Sequence, residues 1–538
     1  MSASRIRSVL VANRGEIAVR VIRACRELGL RSIAVYSDAD RHSLPVRLAD
    51  EAYYLGPSPP AESYLHIGRL IAIARRARAD AVHPGYGFLA ENAEFAEACL
   101  AAGLRFVGPR PETMRALGRK TDARRTVRAA GVPTVPGTLE PVRSLAEVEA
   151  VATEVGFPLA LKAVAGGGGR GMRRVDAPAA LADALRAAQN EAAAAFGDGA
   201  VYVERLVERP RHVEVQILAD AHGHVIALGE RDCSVQRRYQ KLIEESPAPG
   251  LTPAQRAALW DAAVRAARAA DYVNAGTVEF LLAPDGQFYF LEVNARLQVE
   301  HPVTELCTGI DLVHAQLAVA AGEPLPWRQE DIQPRGAAIE CRLLAEESLA
   351  GFVPATGRLA AVRLPSGPGV RVDAGYETGD EVTPYYDSLL AKLCVWGADR
   401  AQALARARRA LAECVLLGVP TTLDFHHYAL AHPEFVAAAH DTGFVARHWP
   451  PPQMGEALRT GGERPAGSAD ASEAGGGERA RADRQPEDGA AGGNDAHWLA
   501  IAAALAHWET QQAPRADDRS REAWAARARL AALRGAWP

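Results

Sequence analysis

Short apolar runs alternate with stretches of helical spacing through the first 120 residues. Ser8–Ala12 predicts a strand. Residues 16–28 carry apolar positions at helical spacing, and Gly29 fits a helix stop. Ser32–Tyr36 predicts the next strand, and Ala81–His83 and Arg105–Val107 two more, each after a helix. That alternation is the signature of a parallel α/β sheet over residues 1–120. The turn after the first strand, Asn13-Arg14-Gly15-Glu16, lacks GxGxxG, which weakens a dinucleotide-site reading.

The pattern changes over residues 121–207. Two apolar strands, Pro158–Ala163 and Val201–Glu204, flank a glycine-rich segment and an Ala-rich helix, which predicts a small α+β module. Residues 208–450 alternate strands and helices with several hairpin signals. Residues 453–495 are rich in Gly, Ala and charge and poor in large apolar side chains. This predicts a disordered, flexible linker over 451–496. Helical patterning returns in His497–Gln511 and Ser520–Leu533, with Trp498, Trp508, Trp524 and Trp537. No internal repeat is evident.

Composition narrows the class. The chain's 538 residues predict about three or four folding units. At 48% hydrophobic and 24% charged it can build a sizeable core. Acids outnumber bases by 66 to 61, which argues against nucleic acid as a partner. No apolar run reaches the ~18 residues of a membrane span, and the start is too weakly apolar for a signal peptide. A cytoplasmic location is expected. The seven cysteines are scattered with no CxxC pair, as expected in a reducing compartment. The basic residues are 57 Arg and only 4 Lys, at positions 120, 162, 241 and 392. In so Arg-rich a chain, a surviving Lys marks a candidate place where a compact point charge is needed and a planar fork will not serve.

Three stretches carry chemistry. Lys162-Ala-Val-Ala-Gly-Gly-Gly-Gly-Arg-Gly171 ends a strand in bare backbone N–H groups that can wrap a phosphate, although no GK[ST] follows. In Gly276–Asn294, Pro-Asp-Gly turns a hairpin whose register, pairing Leu281 with Phe290, sets Glu279 opposite Glu292. Like charges across a ladder repel, and Asn294 shares their face, so a hard divalent cation, Mg²⁺ with phosphates, is the natural occupant. The alternation continues through Arg296, Gln298 and Glu300; an extended chain would align a cation, an amide and a carboxylate able to orient a small anion beside a base. In the third stretch, Glu230 to Lys241, cations cluster among polar residues before Glu244 and Glu245. Glu340-Cys-Arg342 adds a charged pair on one face of a short strand.

Together these stretches closely resemble biotin carboxylase, the ATP-grasp component of biotin-dependent carboxylases, from about Arg7 to Trp449. The resemblance rests on Ala12-Asn-Arg-Gly-Glu-Ile-Ala18, His83-Pro-Gly-Tyr-Gly-Phe-Leu-Ala-Glu-Asn92, the glycine run to Met172, and Pro210-Arg-His-Val-Glu214. It continues through Arg231 to Lys241, Glu292-Val-Asn-Ala-Arg-Leu-Gln-Val-Glu-His-Pro-Val-Thr-Glu305 and Tyr386-Asp-Ser-Leu-Leu-Ala-Lys392. It implies an α/β and α+β fold: a Rossmann-like domain (1–120), an ATP-grasp lid (121–207), an ATP-grasp core (208–335) and a biotin carboxylase C-terminal domain (336–450). A linker (451–496) and a helical tail (497–538), read as a partner-docking segment, would follow.

The resemblance also implies roles. ATP would phosphorylate bicarbonate to carboxyphosphate, and biotin would then be carboxylated. Lys120 and Lys162 would hold ATP phosphates under a lid of Gly166, Gly167, Gly168 and Gly169. Glu204 and Val207 would meet adenine, and His212 and Gln236 the ribose. Glu279, Glu292 and Asn294 would hold Mg²⁺ or Mn²⁺. Lys241, Arg296, Gln298 and Val299 would bind bicarbonate, Glu300 would deprotonate it, and Arg342 would stabilise the biotin anion near Tyr86. Two positions depart from the family: Ala165 replaces a usual fifth glycine, and Tyr239 stands where His or Asn is common. No Lys has a Met neighbour, so biotin is expected on a separate carrier protein or domain, with a carboxyltransferase subunit completing an acetyl- or acyl-CoA carboxylase. A homodimer or larger hetero-oligomer is expected. The alternatives are another ATP-grasp ligase with a non-biotin acceptor and a non-catalytic nucleotide-binding assembly subunit.

Overall fold

Ser8–Val11 (β1) is buried at every position, as a strand flanked on both sides must be. In the computed structural model it is the centre of a five-stranded sheet. The other members are β2 (Arg31–Ser37), β3 (Glu51–Gly56), β4 (Ala81–His83) and β5 (Arg105–Phe106), in the order β3-β2-β1-β4-β5. Every pairing is parallel, as the alternation in the sequence predicts. The structure describes residues 6–164, 172–197 and 199–451.

Helix Gly15–Glu27 follows β1 and buries Ile17, Ala18, Val21, Ile22 and Cys25. Gly29 closes it with φ of 66°, a conformation that a side chain resists. Strand order reverses between β1 and β4, the place where open α/β sheets form a crevice. Asn13 clamps that point: its Nδ2 donates to the carbonyls of Pro84 and Tyr86, both at 2.7 Å.

The next unit is the small α+β module. Strands β6 (Leu159–Ala163), β7 (Met172–Val175) and β8 (Val201–Arg205) pair antiparallel in the order β7-β6-β8. Helices Leu145–Val155 and Leu181–Phe196 cover them, around a core that includes Val148, Leu159, Leu161, Leu185 and Val203. Ala165 and the glycines Gly166–Gly169 lie outside the described residues.

An eight-stranded sheet carries most of the rest, beside three two-stranded sheets. Strands β9 (Arg211–Ala219), β10 (Val225–Arg237), β11 (Gln240–Ser246), β12 (Asn274–Leu282), β13 (Phe288–Asn294) and β14 (Ala337–Leu344) run in the order β13-β12-β9-β10-β11-β14. Strands Leu389–Gly397 and Val370–Ala374 continue it beyond β14. The boundary expected at 335/336 falls inside this sheet: Ile243 pairs with Cys341 and Glu244 with Glu340. That continuity lays Arg342 beside the β11 residues. Through Arg447 the described residues form one compact unit. The expected linker and helical tail, residues 452–538, lie outside the described residues.

Two local expectations need correction. Glu279 does face Glu292, but Phe290 pairs with Phe280, not Leu281. Leu291 is an extra residue, a bulge that shifts the register on the turn side only. The extended run from Glu292 to Glu300 stops at Asn294. The chain then turns, and Glu300 immediately precedes helix His301–Thr308 without capping it, while Pro302 suits the first helical turn.

Candidate active site

Alternation along β9 explains how charge enters the core. Val213, Val215 and Ile217 point into the apolar cluster. Glu214 and Gln216 point the other way and are also buried, with His212 in line. The β12–β13 hairpin lays Glu279 beside them through the pair Glu279–Glu214. The turn after β13 brings Gln298 and Glu300 onto the same side, and β11 contributes Lys241.

Lys241 is the hub. Its Nζ lies 2.6 Å from Glu300, 2.9 Å from Glu279 and within hydrogen-bond distance of Glu214. Burial alone would lower its pKa, but the three carboxylates raise it well above the ordinary value, so it stays charged. Glu300 is fully buried and also accepts from Arg342 Nη2 at 2.8 Å. Burial would raise its carboxyl, yet Lys241, Arg342 and Arg231 hold it well below the carboxylate range. Arg342 is shared, its Nε donating to Glu244 at 2.6 Å. The Glu244 carboxyl is pushed up to about 7 by burial, against the pull of Arg342.

Asn294 and Gln298 reach Glu279 at 2.8 and 3.3 Å, and Arg296 donates to Gln298 at 2.9 Å. The bend after Asn294 therefore gathers the mixed polar residues that straight alternation would have spread along a strand. His212 Nε2 is 3.1 Å from Glu279. Burial would lower its pKa, but Glu279 raises it above the usual value.

A cavity of about 420 Å³ opens above this cluster. Lys120, Lys162, Glu204, Val207, His212, Gln236, Lys241, Glu279, Glu292, Asn294, Arg296, Gln298, Val299 and Arg342 all line it, so fourteen expected site residues surround one space. Lys162 and Glu204 form an ion pair across its wall, and Lys120 lies 3.4 Å from Glu292 at its edge. Glu300 lies beneath, reached through Lys241 and Arg342. A second cavity of about 520 Å³ adjoins; Tyr86 and Asn13, from the β1–β4 crevice, line it with Gln240, Arg296, Val299 and Arg342. The last four line both spaces.

The donor set fits a hard cation. Glu279 and Glu292 are cross-strand neighbours; Asn294 donates its Nδ2 to Glu279 and accepts from Arg296 at its Oδ1, so its amide would have to turn to add an oxygen to the two carboxylates. With Lys120 and Lys162 in the same cavity, the set suits Mg²⁺ shared with phosphates.

Several further residues support the site without any role that the sequence motifs imply. Arg231, fully buried, donates to Glu214, Gln216, Thr304 and Thr277. Glu91 takes the Nε of Arg296 at 2.9 Å and the amide of Ala295 at 2.9 Å. Arg124 backs Glu204 at 2.5 Å and donates to the Val135 carbonyl at 2.8 Å. The signal in the sequence is polar residues spaced by two inside an apolar strand, as in His212-Val-Glu-Val-Gln216. Tyr239 stands half exposed at the β10–β11 turn, on the cavity wall.

Comparison with known proteins agrees with this geometry. Family models match for the biotin carboxylase N-terminal domain (residues 5–114), the carbamoyl-phosphate synthase L chain ATP-binding domain (119–328) and the biotin carboxylase C-terminal domain (340–447). Biotin carboxylase of Nostoc is 52% identical over 437 residues, 81% of this chain and 98% of that protein. The chloroplastic biotin carboxylase 1 of Populus trichocarpa is 50% identical over 444 residues, covering 82% of this chain and 84% of that one. Among solved structures, the biotin carboxylase domain dimer of Hydrogenobacter thermophilus 2-oxoglutarate carboxylase, with MgADP, ADP and bicarbonate, is 44% identical. It superposes with a TM-score of 0.79, over 83% of this chain and 98% of that one. With that identity over nearly the full length of a biotin carboxylase, and a cavity built from the matching residues, the chain belongs to the biotin carboxylase family of ATP-grasp ligases.

Proposed function

We propose that this chain carboxylates biotin, borne on a separate carrier, at the expense of ATP and bicarbonate. It would serve as the biotin carboxylase component of an acetyl- or acyl-CoA carboxylase. The observation that carries this reading is that Arg342, Arg296 and Val299 line both cavities while Lys241, on the wall of the first, reaches Glu300 beneath it. A nucleotide-binding protein without turnover needs neither Glu300 nor Arg342.

The family resemblance implies a task for each residue. Lys120 and Lys162 hold phosphates; Glu204 and the Val207 backbone meet adenine; His212 and Gln236 meet the ribose. Glu279, Glu292 and Asn294 would hold Mg²⁺, which would supply positive charge to offset that of the phosphoryl group being transferred. Lys241, Arg296, Gln298 and the Val299 backbone hold bicarbonate. Glu300 takes the proton from its hydroxyl as the oxygen attacks the γ-phosphorus, giving ADP and carboxyphosphate. With two cations pointing at it, Glu300 alone is a weak base. An anion that draws Lys241 and Arg342 toward itself raises the basicity of Glu300 where the proton must be taken. Carboxyphosphate then splits at its C–O bond into CO₂ and phosphate. Phosphate takes the ureido N–H proton of biotin, and the nitrogen attacks CO₂. Arg342 holds the charge on the biotin oxygen, and Tyr86 bounds the space that biotin enters.

The partners we propose are a second copy of this chain, a biotin carrier protein or domain, and a carboxyltransferase, in the cytoplasm. No helix among the described residues is long and apolar enough to cross a membrane. ADP release by the purified chain with Mg-ATP tests the reading: turnover should require bicarbonate and rise with free biotin. Bicarbonate-dependent turnover indifferent to both free biotin and a biotinylated carrier would mean a different acceptor.

A further inference from the structure

Three of the chain's four lysines line the nucleotide cavity; the fourth, Lys392, is fully buried outside it. Lys392 sits on strand Leu389–Gly397 directly across the ladder from Arg342. Directly paired residues share a face, and two cations there repel unless each has work of its own. Each does. Arg342 Nη2 donates to the carboxylate of Glu300 at 2.8 Å, and Lys392 Nζ donates to the backbone carbonyl of Val299 at 2.9 Å. The two cations thus grip consecutive residues of the turn that runs from the metal-binding face to the catalytic base.

The charge of Lys392 is matched elsewhere. Glu16, at the start of the helix after β1, lies 3.1 Å from its Nζ, and Asp373 lies 3.8 Å away on the neighbouring strand. A single carbonyl in a closed space suits an ammonium better than a planar guanidinium. That accounts for a Lys here in a chain whose other basic residues are nearly all Arg.

We infer that Lys392 is a positioning residue for bicarbonate. Through the Val299 carbonyl it fixes the peptide whose neighbours are Gln298 and Glu300, and so sets the mouth of the bicarbonate site. The inference rests on the function proposed above. It predicts a loss confined to one substrate: nucleotide contacts lie on other elements and are left in place.

The test uses the full chain with Lys392→Met, with Lys392→Met combined with Glu16→Gln, and with Glu16→Gln alone. The double variant removes the ammonium together with its nearest counter-charge, so that folding does not depend on an unpaired buried carboxylate. Both proteins lacking Lys392 should show a bicarbonate KM raised about tenfold or more, with the ATP KM unchanged. Glu16→Gln alone, which keeps the bond to Val299, should leave the bicarbonate KM near its original value. An unchanged bicarbonate KM in the double variant would overturn the inference. So would an equal rise in Glu16→Gln, because the ion pair would then be the active element. A wild-type chain whose ADP release ignores bicarbonate would instead overturn the underlying function.

Discussion

Replacing Glu300 by Gln removes one charge and almost no volume. Lys241 keeps Glu279 at 2.9 Å and its contact to Glu214, and Arg342 keeps Glu244 at 2.6 Å. Neither cation is stranded, so the loss is that of charge-assisted hydrogen bonds, about 1–3 kcal/mol. Leaving a buried charge without any partner would cost about 3–5 kcal/mol. The variant should therefore fold. Its chemistry should fail, because an amide cannot take the bicarbonate proton. General-base catalysis contributes roughly 10²–10⁴-fold, which is about 3–5 kcal/mol of barrier at 1.36 kcal/mol per decade. Glu300 lies beneath the nucleotide cavity and does not line it, so ATP affinity measured by calorimetry should be unchanged while bicarbonate-dependent ADP release falls by that factor. Retention of more than about a tenth of the turnover would remove Glu300 as the base. A parallel loss of ATP affinity would show that the substitution collapsed the site and that our reading of the cluster is wrong.

Other perturbations separate binding, stability and chemistry. Glu279→Gln keeps Lys241 paired with Glu214 and Glu300 but removes a carboxylate proposed to hold Mg²⁺, so the Mg²⁺ concentration needed for half-maximal turnover should rise about tenfold; an unchanged Mg²⁺ titration would refute that ligand. Arg231→Met strips partners from Glu214, Gln216, Thr304 and Thr277 at once and should cost about 3–5 kcal/mol in denaturant unfolding; a cost below about 1 kcal/mol would mean that the network is not a structural support. Asp424 has its carboxyl raised to about 6 by burial and by repulsion from Glu347. A raised acid destabilises the fold as pH climbs through that value. Since the side chain is only half-buried and sits in the first turn of helix Leu423–Ala431, Asp424→Asn should add about 1 kcal/mol at about pH 8 and nothing at about pH 4. Equal thermal shifts at both pH values would contradict this.

Much of the site is legible in the sequence because its residues come in local patterns. Glu279 and Glu292 face each other because a Pro-Asp-Gly turn between apolar runs dictates a hairpin, and the unfavourable pairing itself points to a cation. The Leu291 bulge is not legible: it depends on how β13 packs, and it changes the register without moving the two carboxylates. The mixture from Asn294 to Glu300 is legible as a cluster, but alternation suggests a straight strand where the chain bends. The helix that starts at His301 ends the strand, and Pro302 in its first turn is a helix-start signal that strand alternation masks. Arg231, Glu91 and Lys392 act across elements far apart in sequence, so no local spacing could reveal their partners. The rarity of lysine and its place at the end of the Tyr386–Lys392 stretch are the sequence clues to Lys392. The continuity of the eight-stranded sheet across residue 335 is likewise long-range, and it is what puts Arg342 beside Glu244 and Glu300.

In the proposed reaction one site passes an oxygen of bicarbonate to phosphorus before biotin receives the carbon. The direct measurement supplies bicarbonate labelled with heavy oxygen, Mg-ATP and free biotin to the intact chain, and reads the label in inorganic phosphate by mass spectrometry. One labelled oxygen is expected in each phosphate released together with carboxybiotin. Unlabelled phosphate formed alongside carboxybiotin would contradict it, because carboxyphosphate could not then lie on the path.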